Sequence, residues 1–224
     1  EPFKGITDGR LVSDLFALQK TDLSNEEMKR SADALIDSLG PSQQGEALFS
    51  IDSDAWRRWS NVHMFMMRHG TMLESLAPNQ RKLALALLRE SFSESGFELA
   101  RNIMKLNESI REITDSDEEL GEWLYWLSIL GKPSIDEPWG WQIDGHHLII
   151  NYFVLGDQVV MSPVFLGSEP VHATSGKFKG IIVMQDEQDK GLSLTLPEVG
   201  ETKQVQQKNI LNMQVILLLV LQSL

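Results

Sequence analysis

Residues 146–161 constrain the fold more than any other stretch of the chain. Two apolar runs, 146–155 and 158–161, flank Gly156-Asp157, a two-residue turn with glycine first, as a type II′ hairpin requires. Alternate residues of a strand face opposite ways, which puts Leu148, Ile150 and Val154 on one side and Ile149, Phe153 and Leu155 on the other. Both sides are apolar, so the sheet holding this hairpin must be covered on both faces.

The first half of the chain offers helices as cover. Ser24 and Glu27 have capping-box spacing, and Met28, Ala32, Leu35, Ile36 and Leu39 then share one face before Gly40-Pro41 ends the segment. A second helix is predicted from Pro78, through Leu83, Leu87 and Leu88, to a break at Ser95-Gly96. A third follows, with Ser95 and Glu98 as its capping box and Phe97, Ala100, Ile103, Met104 and Ile110 on its apolar face, so that the two form a helical hairpin. Residues 123–130 read as a strand ended by Gly131-Lys132-Pro133, and 180–184 as a short one. Residues 201–209 are polar and rich in glutamine.

At 224 residues the chain suits one well-buried domain. Its 32 acidic and 20 basic residues give a net charge of −12, which repels a phosphate backbone, so nucleic acid is not an expected partner. Without a single cysteine there is no disulfide framework, no thiolate nucleophile and no thiolate-bound metal. The strongly apolar run at 215–221 falls well short of the roughly 20 residues that a membrane-spanning helix needs, so no transmembrane segment is expected. Neither a Gly-x-Ser-x-Gly elbow nor a phosphate or dinucleotide glycine loop occurs, which disfavours the enzyme classes built on them.

The segment Glu137-Pro138-Trp139-Gly140-Trp141-Gln142, followed by Gly145-His146-His147-Leu148 and Asn151, resembles the signature of the bacterial and fungal family known as domain of unknown function 3500. Ser162-Pro163-Val164-Phe165-Leu166-Gly167-Ser168-Glu169-Pro170 is similar to its next landmark, and Trp56-Arg57-Arg58-Trp59-Ser60-Asn61 to an earlier one. Phe3-Lys4-Gly5 and Leu15-Phe16 suit its opening. The resemblance brings no assigned activity. Members often carry export signals, which implies an extracellular or periplasmic location. They also run on past this chain's end, so the apolar tail at 213–224 reads as a truncation or an aberrant reading.

Candidate chemistry gathers on the same segment. His146 and His147, with Glu169, His172, Glu137 or Asp144, suit a divalent metal such as zinc or iron. Adjacent strand residues point to opposite faces, however, so only one histidine of the pair is expected to serve a given site; the competing reading has one histidine hydrogen-bonded under the loops and the other in the sheet-edge network. Trp139 and Trp141 fall on one face of an extended backbone, as a sugar-stacking platform would, with Asp136, Glu137, Gln142 and Asp144 near and Asn151 a further ligand-binding candidate; the competing reading wedges both rings against the core. Glu137 and Glu169 are a candidate acid and base pair. Arg57 or Arg58 could clamp an anionic ligand or stack on a neighbouring tryptophan. Met64, Met66 and Met67 read as core filler, and Asp115, Asp117, Glu118, Glu119 and Glu122 as a solvated face at a helix start.

These readings add up to an α+β protein whose N-terminal helices pack on a mainly antiparallel C-terminal sheet. One domain is expected over 1–212, helix-rich in 1–122 and sheet-rich in 123–185. The expected function is an extracytoplasmic ligand or metal site, as in a metal-assisted hydrolase; the alternative is a carbohydrate-binding or structural module without catalysis. A small molecule or glycan is the expected ligand.

Overall fold

The computed structural model describes residues 24–61, 68–116 and 119–195. The methionine cluster, Asp117, Glu118, the opening motifs at Phe3 and Leu15, and the segments 201–209 and 213–224 lie outside the described residues. In chain order the elements are α1 (Glu26–Ser38), α2 (Pro41–Ala47), β1 (Leu48–Phe49), β2 (Thr71–Met72), α3 (Pro78–Ser91), α4 (Glu94–Thr114), β3 (Tyr125–Leu130), β4 (Trp139–Gly145), β5 (Leu148–Leu155), β6 (Gln158–Leu166) and α5 (Gln185–Thr195). Helices dominate the first half and the sheet the second, which is the α+β arrangement expected.

The sheet runs β1-β3-β4-β5-β6, with β2 also on β3. All its pairings are antiparallel except the short β1·β3 contact. Gly156 takes φ +60° at the β5–β6 turn, as a primed turn requires. The second strand continues to Leu166, past the expected end at Met161, through a register shift opposite Ile150 and Tyr152. Pro163 is tolerated because β6 is the last strand of that order.

Every residue of β4 is buried. On one side Trp139, Trp141 and Ile143 join Leu127, Ile129, Ile150 and Tyr152 in a single cluster with Leu35 of α1, Leu87 and Leu88 of α3, and Ile103 and Met104 of α4. Among the described residues, the other side meets the segment after β1, where a 3₁₀ turn at Asp54–Arg57 sets Trp56 edge-on to Phe153, centroids 6.3 Å apart. The second face of β4 is thus covered, as its complete burial also shows.

Several helix ends fall elsewhere than the spacing suggests. Asn25, not Ser24, holds the N-cap position of α1, but its side chain makes no cap and instead donates to the Gly156 carbonyl at 2.7 Å, fastening the helix to the hairpin turn. Ser93 caps α4 by accepting from the Gly96 amide at 3.2 Å, so the break precedes Ser95 and Gly96 lies in the first turn. The segment at 180–184 makes only a bridge, between His172 and Ile182, before α5 begins. No helix among the described residues is long and apolar enough to cross a membrane.

The acidic stretch after α4 is not uniformly solvated, because Glu122 is buried and paired with Arg101 and Lys177, both at 2.8 Å. Glu108 on α4 accepts from the Glu122 backbone amide at 3.0 Å and pairs with Arg111. Burial pushes the Glu108 carboxyl up, but Arg111, the Glu122 amide and Lys177 outweigh it and hold the group below its ordinary value of 4.5.

A lowered folded value means that Glu108 contributes stability above about pH 4.5 and loses it as the pH falls through the folded value. Glu108→Gln should therefore flatten the fall in urea-unfolding free energy between neutral and acid pH; an unchanged slope would show that the carboxylate is not selectively stabilised. A Cβ on Gly140 would lie 2.2 Å from the Tyr152 carbonyl oxygen and 2.7 Å from Trp56. Gly140→Ala should accordingly cost about 1–3 kcal/mol by overpacking, read from urea denaturation.

Candidate functional site

The two histidines form the turn between β4 and β5. Strand β4 ends at Gly145 and β5 begins at Leu148, so His146 and His147 lie outside both strands, and His147 takes φ +60°. The expectation that strand alternation would separate them is corrected here: their rings lie 3.9 Å apart at 41°. Gly145, the last residue of β4, packs on Tyr125, where an added Cβ would come within 2.2 Å of the ring. The turn is then held by its backbone. The Tyr125 hydroxyl donates to the His146 carbonyl at 2.9 Å, and the Gly167 amide donates to the His147 carbonyl at 2.9 Å.

Both histidines are 7% exposed, so their side chains are set by protein contacts. His146 Nδ1 lies 2.8 Å from the Asn107 carboxamide oxygen, and the Asn107 nitrogen donates to the Gly121 carbonyl at 2.8 Å. His147 stacks beside Phe165, and its Nε2 is 3.7 Å from a Glu169 carboxylate oxygen. Glu169 arrives because Leu166, near the end of β6, pairs with Leu148 at the start of β5. One potential ligand atom from each of His146, His147 and Glu169 lies within 4.8 Å of the others.

Zinc bound at 2.0–2.2 Å holds its ligand atoms roughly 3.3 Å apart, so no separation has to close by more than roughly 1.5 Å. Glu169, with its side chain 45% exposed, is the member best able to move that far. Two imidazoles and one carboxylate make a donor set that zinc and other divalent transition metals accept.

The remaining candidates lie elsewhere. Trp139 and Trp141 do share a face, but both are 0% exposed; Trp141 stacks on Tyr152 at 5.2 Å with Phe92 at its edge, and the Trp139 indole donates to the Ser134 carbonyl. The sugar platform is corrected to a core contact, since that side of β4 faces the helices. Glu137 is exposed just before β4, and the seven-residue strand separates it from the histidine turn by about 20 Å, so it forms no acid and base pair with Glu169. His172 is exposed at its bridge with Ile182. Arg57 is exposed and pairs with Asp54 at 3.2 Å rather than lining a site.

Asn151 and Asp144 lie on the opposite side of the sheet from the tryptophans. Asn151 accepts from Gln142 at 2.5 Å and donates to the Pro163 carbonyl at 2.9 Å, bridging the β5–β6 register shift. Asp144 pairs with the buried Arg68, which lies over the Trp126 ring, and accepts from the Ser60 amide at 3.2 Å. Burial raises the Asp144 carboxyl pKa despite the opposing pull of Arg68. Sequence reasoning missed Asn107, Tyr125 and Arg68. Asn107 did carry a signal, as a polar residue at core-facing spacing from Ile103 and Met104 on α4.

No curated protein and no solved structure matches the chain. A family model described as "Protein of unknown function (DUF3500)" matches residues 21–214, which span the histidine turn, Asn107 and Glu169. The chain belongs to that family.

Proposed function

We propose that the chain holds a divalent metal ion at His146, His147 and Glu169 and acts as a metal-assisted hydrolase. The observation that carries this reading is the convergence of two imidazoles and a carboxylate from a turn and a strand end, within 4.8 Å. Three protein ligands leave a coordination position for water, which is how catalytic zinc sites differ from closed structural ones. A metal so held would supply Lewis acidity and a water deprotonated near neutral pH. The protein's own part is to bring the three ligands together at the rim of a rigid sheet, with Glu169 half-exposed toward solvent. An extracellular or periplasmic location belongs to this reading and is supported by the export signals common in family members.

One observation favours a purely structural role: His146 is buried and bonded to Asn107, as a residue that only locks the turn would be. Glu169 separates the two readings, because its exposure lets it be replaced at little cost in stability. The protein, loaded with zinc or manganese and dialysed, should retain about one ion per chain by elemental analysis, with loss of the ion in His147→Ala. Glu169→Ala should weaken zinc binding tenfold or more by titration calorimetry while the melting temperature stays unchanged. A well-folded protein that retains no zinc, manganese or iron would overturn the metal reading and leave the structural one.

A further inference from the structure

We infer that Asn107 is the positioning residue of this site, its carboxamide fixing His146 in the Nδ1–H tautomer and thereby assigning Nε2 as the nitrogen that ligates. The inference rests on the metal reading for its consequence, while the tautomer itself stands on the hydrogen bonds. Asn107 is 3% exposed, so its carboxamide must be satisfied within the protein. Its nitrogen is committed to the Gly121 carbonyl at 2.8 Å, an acceptor that cannot change role. The oxygen therefore faces His146 Nδ1, at 2.8 Å, and an oxygen acceptor requires a proton on that nitrogen. Turning the amide over would set its oxygen against the Gly121 carbonyl oxygen. In the neutral ring with hydrogen on Nδ1, the lone pair belongs to Nε2.

The parts of this arrangement are clamped separately. Glu108, the next residue along α4, accepts from the backbone amide of Glu122, the next residue after Gly121, at 3.0 Å. Arg101, nearly two turns before Glu108 on α4, pairs with the Glu122 side chain at 2.8 Å. Across the site, Tyr125 holds the His146 carbonyl. Neither Asn107 nor the His146 backbone can move far without breaking a buried bond. Metal-ligating histidines characteristically donate their second N–H to a fixed acceptor, which sets ring orientation and raises ligand basicity, and Asn107 occupies that place.

The test is a two-bond proton–nitrogen spectrum of metal-free protein labelled with nitrogen-15 at histidine, beside zinc titrations of Asn107→Leu and Asn107→Asp. The ring missing from the His146→Gln spectrum should show the Nδ1–H pattern. Asn107→Leu, which keeps the branched four-atom side chain but removes the acceptor, should lose that pattern and bind zinc roughly 10–100-fold more weakly. Asn107→Asp, which keeps the acceptor, should restore both toward wild type. An Nε2–H ring or a mixed one in the wild-type protein, or zinc affinity in Asn107→Leu within threefold of wild type, would overturn the inference. If the leucine variant does not fold, the wild-type spectrum and the aspartate variant decide it alone. A wild-type protein with the Nδ1–H ring that takes up no zinc would overturn the metal reading, and with it the positioning role, leaving only the tautomer.

Discussion

Burial of β4 on both faces is the constraint from which the rest of the structure follows. A central strand flanked by β3 and β5 has its backbone bonds satisfied on either side, and each of its side chains must then be matched from above or below. Trp139 and Trp141 meet the helices, with Trp141 stacked on Tyr152. On the opposite side Gly140 makes room for Trp56, while Gln142 and Asp144 require polar partners. One strand thus dictates both a thick apolar layer beneath the sheet and a thin irregular cover above it.

That cover carries charge into the interior. Arg68 and Asp144 are both buried, a pairing whose desolvation cost commonly cancels much of its attraction. What the pair does here is geometric: Asp144 accepts from the Ser60 amide and pairs with Arg68, and Arg68 reaches the Ser60 carbonyl and the Trp126 face of β3, so one carboxylate ties the chain at Ser60 and at Arg68 to the sheet. The Glu108 and Glu122 pair does the same beside α4, joining the helix to the strand that follows.

The histidine site lies where these two constructions meet. The β4–β5 turn projects from the end of the buried strand, α4 presents Asn107 to it, and the end of β6 delivers Glu169. Tyr125 and Gly167 hold the backbone of the turn, and Glu169 stands half-exposed beside it.

Much of this was legible in the residues alone. Apolar runs on either side of Gly156-Asp157 dictated the hairpin and the double burial of β5, and 3.6-residue spacing dictated α1, α3 and α4, because both patterns depend only on neighbours along the chain. The Trp-Gly-Trp and Gly-His-His segments marked the family. Only the tertiary structure decided which of their polar and aromatic groups belong together. Glu137 and Glu169 look interchangeable in sequence, yet strand direction sends them to opposite ends of the sheet. The tryptophans became core because helices cover their face, and His146 met His147 because both fall in the turn between β4 and β5 rather than within a strand. Local pattern is a property of adjacent residues, whereas a site is made by contacts between residues such as Asn107 and His146 that only the packed sheet and helix bring together.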